Sequence, residues 1–91
     1  MSKITYSFSG TDRKGRTPLH NALLAETVQT LLESGSDIEA TDDAGWSPLH
    51  VAAWYGRAKC ARALLKAGAD MEACNGKGDP PLHLAGKRAP H

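Results

Sequence analysis

The chain has 91 residues, of which 41% are hydrophobic and 23% are charged, and its formal net charge at pH 7 is +1. A chain of this length forms one small domain, and its near-neutral balance provides no general attraction to nucleic acid or to a membrane surface. No apolar run has the length of a membrane span, the N-terminus lacks a secretory signal pattern, and two cysteines are too few for a disulfide scaffold, so we expect a cytoplasmic protein or a nuclear one.

The N-terminal extension, residues 1–11, differs in kind from the rest of the chain. Ile4, Tyr6 and Phe8 alternate with small polar residues, and this period of two is typical of a β-strand. An extended arm fits the pattern equally well, and either form could cover the exposed end of the following unit as a cap. A strand that binds a partner is a third interpretation.

Beyond this extension, one short motif recurs. The pattern Gly-x-(Thr/Ser)-Pro-Leu-His occurs at residues 15–20 and 45–50, and its Pro-Leu-His core occurs again at residues 81–83. A second segment recurs in phase, since residues 31–40 match residues 64–73 at most positions, 33 residues further on. Self-similarity at a period of this size indicates a repeat architecture.

The first two copies of the motif each predict the start of a helix. Thr17 and Ser47 are good N-cap residues, and the proline after each of them is well placed at the first helical position. Gly35 and Gly68 fit the left-handed conformation that ends many helices. We therefore predict helices from about residue 19 to 25, 49 to 55 and 58 to 67.

The combined pattern resembles the ankyrin repeat over roughly residues 12–85. The resemblance implies an all-α ankyrin-repeat solenoid of about two and a half helix-turn-helix repeats, in which helix pairs stack side by side and hairpin-like loops project from them. It also implies that the chain binds other proteins with its loop tips and inner helices. The repeats are predicted at residues 12–41, 42–74 and, for the incomplete third, 75–91.

The chain departs from the family pattern at three points. The first repeat is three residues short between Ala25 and Glu26, so either its helices are linked more tightly or one of them loses part of a turn. The third copy has Pro80 where the pattern has a hydroxyl residue, and it lacks a second helix. Since a solenoid normally needs at least three repeats, we expect low thermal stability, self-association, or a fragment of a longer repeat protein.

The recurring histidines raise the question of a metal site. Equivalent positions in stacked helices lie about 8–10 Å apart, whereas zinc requires ligand atoms about 2.0–2.1 Å from one centre. The resemblance instead implies that His20 and His50 hydrogen-bond to the loop and to the preceding Thr17 or Ser47. The two cysteines match no zinc or redox spacing, and no residue set suggests a nucleophile. We expect no catalysis, no metal and no cofactor.

Aromatic and basic residues form the candidate site for a partner. By the resemblance, the aromatic residues lie at a loop tip and on an inner helix, where they could bind a partner or only pack against the neighbouring loop. The basic residues cluster in the first and third loops and predict an acidic protein or peptide as partner rather than nucleic acid or a membrane. An assembly piece that self-associates through its incomplete ends is the alternative. The candidate partner-binding residues are Arg13, Lys14, Arg16, Trp46, Trp54, Tyr55 and Lys77.

Overall fold

The computed structural model describes residues 11–88, and within that range it is built from helices, turns and loops without a strand. The predicted strand or arm over residues 1–11 lies outside the described residues, apart from Thr11. The helices are α1 (Ala25–Glu33), α2 (Pro48–Trp54), α3 (Ala58–Lys66) and α4 (Pro81–Arg88). Helix α2 packs against both α3 and α4, and α3 packs against α1, so the helices form an inner row (α2, α4) and an outer row (α1, α3). The all-α prediction is confirmed.

The second repeat has the predicted pair of helices, α2 and α3. Ser47 caps α2, because its hydroxyl accepts a hydrogen bond from the backbone N–H of His50, and Pro48 occupies the first helical position. Gly56, with φ +69°, turns the chain toward α3. Cys60 and Leu64 then bury one face of α3 against the first repeat. The predicted bounds of both helices are confirmed to within one residue.

In the first repeat, the helix predicted over residues 19–25 is wrong. The chain makes a single turn at residues 18–21, and the helix that follows, α1, begins only at Ala25 and corresponds to α3. The three missing residues leave too little chain between Pro18 and α1 for a helix and a link. Two exposed side chains, Leu23 (68%) and Leu24 (62%), lie in the shortened link. Of the two expected outcomes, a tighter link or the loss of part of a turn, the second is closer to the structure, but the loss is larger: a turn replaces the whole inner helix.

The core lies between the two rows and is continuous across the first two repeats. Small side chains at Ala22 and Ala52 allow close approach: the thiol of Cys60 lies 3.5 Å from the carbonyl oxygen of Ala22. The Arg57 guanidinium donates to the same carbonyl (3.4 Å) and to that of His20 (3.3 Å), so it satisfies backbone acceptors that the short turn leaves open. The buried cluster consists of Leu19, Ala22, Val28, Leu31, Leu49, Ala52, Cys60 and Leu64.

Two buried histidines connect consecutive repeats. Nδ1 of His20 accepts a hydrogen bond from the backbone N–H of Thr17 (3.0 Å), and His50 makes the same bond with Ser47 (3.0 Å). Because Nδ1 accepts, the hydrogen-bond network assigns the ring proton to Nε2. Nε2 of His20 donates to the carbonyl of Trp46 (2.7 Å), and Nε2 of His50 donates to that of Asp79 (2.8 Å). The predicted structural role of both histidines is confirmed.

Burial lowers the pKa of the His20 imidazole, so the ring resists protonation and its Nδ1 atom stays available as an acceptor. The third histidine, His83, differs, since its side chain is 55% exposed and lies 3.6 Å from a carboxylate oxygen of Asp79.

The loops are also joined to one another through their backbones. The N–H of Asp43 donates to the carbonyl of Lys14 (2.9 Å), and the N–H of Gly76 donates to that of Ala44 (2.9 Å). With the histidine bonds, these contacts hold three successive loops in a row along one edge of the helix layers. The predicted repeat boundaries at residues 12–41, 42–74 and 75–91 stay predictions.

We expect replacement of Gly45 by alanine to be more destabilising than the same replacement at Gly68. Both glycines have positive φ, +81° and +101°. A Cβ at Gly45 would lie 2.7 Å from the backbone nitrogen of Gly76, whereas a Cβ at Gly68 would meet nothing within 4 Å. Gly68→Ala carries only the conformational cost of about 1 kcal/mol, and Gly45→Ala adds a backbone clash that separates the loops. Thermal melts of both variants test this, and equal decreases in Tm would show that the loop contact contributes nothing.

Candidate functional site

A groove of about 490 Å³ runs along the row of loops. We call it the loop groove. It brings together six of the seven side chains predicted to bind a partner; only Tyr55 is not among its lining residues. The lining residues are Arg13, Lys14, Arg16, Asp42, Asp43, Ala44, Trp46, Trp54, Asn75, Lys77, Asp79 and Leu84.

Arg16 has intramolecular partners on three sides. Its Nε lies 3.0 Å from a carboxylate oxygen of Asp42, and the two side chains are only 12% and 2% exposed. Its guanidinium carbon lies 5.5 Å from the centroid of the Trp46 ring, within the range of a cation–π contact. It also hydrogen-bonds to the side chain of Tyr55. Arg16 therefore connects the first loop to the second repeat, whatever it contributes to binding.

These contacts set the protonation states around Arg16. Burial would raise the pKa of Asp42, but hydrogen bonds from the backbone N–H of Trp46 and from Arg16 outweigh burial and leave this pKa below its ordinary value. The hydrogen bond from Arg16 also lowers the pKa of Tyr55. Asp42 is therefore ionised at neutral pH and largely neutralises Arg16.

The two tryptophans form an aromatic wall in the groove. The rings of Trp46 and Trp54 meet edge to face, with centroids 5.6 Å apart and an interplanar angle of 68°. Trp46 also lies 6.3 Å from the ring of His50. Both tryptophans are only partly buried, so they pack on each other and still present surface to the groove. Tyr55 is 43% exposed and lies under the Arg57 guanidinium, 4.9 Å from its ring centroid.

Three cationic side chains on the groove are available to a partner. Arg13, Lys14 and Lys77 are exposed, and within the described part of the chain their side chains make no hydrogen bond or ion pair. The carboxylates that share the groove with them are Asp43 and Asp79, beside the already paired Asp42. The groove thus carries four cations and three carboxylates, the same formal excess of one positive charge as the whole chain, but confined to a few loop residues.

Six residues line the groove without having been predicted to do so: Asp42, Asp43, Ala44, Asn75, Asp79 and Leu84. A signal for two of them exists in the sequence: Asp42 and Asn75 each stand three positions before the glycine of their loop, as Asp12 does in the first. Each closes its loop by accepting two backbone N–H bonds, at 2.9 and 2.8 Å in Asp42 and at 2.8 and 3.0 Å in Asn75.

An apolar depression of about 340 Å³ lies beside α2, α3 and α4. We call it the apolar flank. Leu65 is 38% exposed and Leu82 is 62% exposed there. The outer helix of the second repeat, α3, is therefore poorly covered there. The flank is lined by Ala52, Ala53, Gly56, Ala58, Ala61, Arg62, Leu65, Leu82 and Ala85.

Within residues 11–88, no group of three His, Cys, Asp or Glu side chains could hold a metal ion. None of the helices described there is long and apolar enough to cross a membrane. Both cysteines are free thiols, with Cys60 buried and Cys74 exposed.

Comparison with known proteins gives consistent matches. A family model described as ankyrin repeats (3 copies) matches residues 3–75 and 25–89. The human SMC5-SMC6 complex localization factor protein 1 is 40% identical over 60 residues, which are 62% of this chain and 6% of that protein. Human Rabankyrin-5 is 54% identical over 43 residues, 44% of this chain and 4% of that protein.

A shorter relative, the human protein phosphatase 1 regulatory subunit 27, is 44% identical over 51 residues, 53% of this chain and 33% of that protein. The chain thus spans only a small part of the length of these relatives. Ankyrin repeats are non-catalytic modules for protein–protein interaction. The recurring motif, the stacked helix pairs and the family match agree, and the chain belongs to the ankyrin-repeat family.

Proposed function

We propose that the chain binds an acidic segment of a protein partner in the loop groove and carries out no catalysis. The observation that supports this most strongly is the composition of the groove. Three exposed cations, Arg13, Lys14 and Lys77, whose side chains have no partner within residues 11–88, stand on its rim, and a pair of partly exposed tryptophans forms its wall. Rim cations attract an acidic surface, and tryptophans provide the large buried area typical of binding hot spots.

The charges of the groove favour an acidic ligand over a neutral one. Four cationic side chains line the groove beside three carboxylates. Arg16 and Asp42 neutralise each other through their ion pair, which leaves the exposed Arg13, Lys14 and Lys77 with Asp43 and the largely buried Asp79. An acidic peptide would therefore meet the free cations first, and its association should weaken as salt screens them.

The relatives agree with a role in binding. Their names describe a localization factor of a complex and a regulatory subunit of a phosphatase, both of which imply contact with other proteins. We propose no cofactor, and a cytoplasmic or nuclear location.

Replacement of Trp54 by alanine should weaken partner binding by about 2 kcal/mol or more, the loss expected for a hot-spot residue. Trp54 suits this test because Trp46 also contacts Arg16, so a change at Trp46 would disturb the loops as well. Affinity capture with the wild-type chain and with W54A as parallel baits identifies the partner, and titration of that partner measures the loss.

Leu23→Ala is the control for the Trp54 experiment. It removes an exposed apolar side chain (68% exposed) that does not line the loop groove. We expect L23A to bind as the wild type does. If W54A also retained full affinity and only its Tm fell, the ring would be a packing residue and the binding site would lie elsewhere.

A second candidate function is assembly through the apolar flank, with another copy of this chain as the occupant. The exposed Leu65 and Leu82 favour it, and so do the charges of the outer helices. Helix α3 carries Lys59, Arg62 and Lys66 and no acidic residue, whereas α1 carries two glutamates and no basic residue. The α3 end of one copy is therefore complementary in charge to the α1 end of another, which is the arrangement of a head-to-tail stack.

Sedimentation velocity at several concentrations tests the assembly. We expect the average sedimentation coefficient of the wild type to rise with concentration, and we expect Leu82→Glu to abolish that rise, because it places a charge in the apolar flank at little cost to an exposed site. The L23A variant serves as control. A wild-type chain that stays monomeric at every concentration would contradict the assembly function and leave the groove proposal untouched.

A further inference from the structure

One polar position recurs at the start of each loop, and its third occurrence differs in chemistry. The residues are Asp12, Asp42 and Asn75, and in each the Oδ1 atom accepts the two backbone N–H bonds that close the loop. In the two aspartates the second oxygen also has a partner. Asp12 Oδ2 accepts from the amide of Asn21 (3.1 Å), and Asp42 Oδ2 accepts from Arg16 Nε (3.0 Å).

The second polar atom of Asn75 has no partner. Asn75 is only 7% exposed, and its Nδ2 makes no hydrogen bond in the structure. Burying a donor without an acceptor costs about 1–3 kcal/mol. The same side chain lines the loop groove, beside Lys77. The dipole of this amide therefore lies beneath the groove surface next to the exposed Lys77, where it favours an anion over a cation.

The repeat register explains how this arises. In the first loop, the residue four positions after the loop aspartate is Arg16, which pairs with Asp42 of the second loop. The equivalent residue of the second loop is Trp46, which cannot form an ion pair. The residue of the third loop that corresponds to Asp42 is the uncharged Asn75. The second interface between loops has therefore lost both charges of the first. Arg16 and Trp46 form a cation–π contact in the groove. At Asn75, an amide takes the place of a carboxylate that would repel an anion.

We propose that the loop groove holds a carboxylate of the partner, from an aspartate or glutamate side chain, at its Asn75–Lys77 end, and that Asn75 is the residue that makes this end selective for an anion. The inference rests on the proposed function and specifies the ligand chemistry of the same groove. Lys77 supplies the opposite charge. Asn75 Nδ2 lies below the groove surface, so it acts through its dipole and through the absence of the negative charge that Asp42 carries in the preceding loop. The groove also contains Asp43, which lies against Lys14 and Gly15 of the first loop, and Asp79, which lies 3.6 Å from His83.

Asn75→Asp tests the proposal with a change of one atom type. The variant should fold, because Asp12 and Asp42 close their loops with the same carboxylate oxygen, and a thermal melt checks this. The probe is a hexaglutamate peptide with acetylated and amidated ends, with hexaglutamine as the neutral comparison, titrated at low salt and followed by tryptophan fluorescence. We expect the wild type to bind hexaglutamate in preference to hexaglutamine, and N75D to bind hexaglutamate about tenfold more weakly.

Two further variants separate this site from general charge effects. Gln29→Glu makes the same amide-to-carboxylate change at an exposed position of α1 outside the groove, and we expect it to bind as the wild type does. Lys77→Gln removes the exposed cation, whose side chain has no partner among the described residues, and we expect a loss similar to that of N75D. Should N75D prove less stable, the titrations are run at a temperature at which its melt shows it fully folded, so that its affinity still reports on Asn75.

The proposal is overturned if the wild type does not prefer hexaglutamate, if N75D or K77Q binds it as tightly as the wild type, or if Q29E loses as much affinity as N75D. None of these results bears on whether the groove binds a protein at all. That question is decided by partner capture with the Trp54 variant. A chain that loses its partner with W54A but keeps full affinity with N75D would have the proposed function without this carboxylate subsite.

Discussion

The hydrogen bond from a buried imidazole to the carbonyl of the next loop is the interaction on which the rest of this structure depends. His20 Nε2 reaches Trp46 O at 2.7 Å, and His50 Nε2 reaches Asp79 O at 2.8 Å, while the opposite nitrogen of each ring caps its own turn. Each ring thus binds its own turn through Nδ1 and the following loop through Nε2. Loss of either bond would leave a buried polar group unpaired, at a cost of about 1–3 kcal/mol.

The chemistry of the loop groove follows from that register. The histidines keep the loops in line, and in this register Arg16 at the tip of the first loop lies beside Asp42 of the second. Arg16 over Asp42 gives a neutral, largely buried pair, and Trp46 followed by Asn75 gives an aromatic wall and an uncharged base. Lys14 and Lys77 then project from the loops without a partner among residues 11–88. If the groove binds a partner as we propose, substitutions at a few loop positions would change its ligand preference without changing the stack.

Much of this could be predicted from the sequence, and the misses have specific causes. Helices α2 and α3 were predictable because their caps are local: Ser47 with Pro48 at one end and Gly68 at the other. The helix predicted over residues 19–25 was wrong because α1 packs against α3 and begins at Ala25, so the three missing residues leave space only for a turn before it. The sequence shows the missing residues but not which helix gives way. The pairing of Arg16 with Asp42, 26 residues apart, and the open amide of Asn75 depend on the register between loops, which no local pattern contains.

The most direct test of this account is an NMR measurement of the imidazole nitrogens in the intact chain at neutral pH. The account predicts that His20 and His50 each carry the ring proton on Nε2, that these protons exchange slowly with water, and that each shows coupling through its hydrogen bond to the carbonyl carbon of Trp46 or Asp79. The exposed His83 provides the comparison within the same sample. If His20 and His50 carried the proton on Nδ1, or gave averaged signals like those of a solvent-exposed ring, the loops would not be held by these bonds and the account would be contradicted.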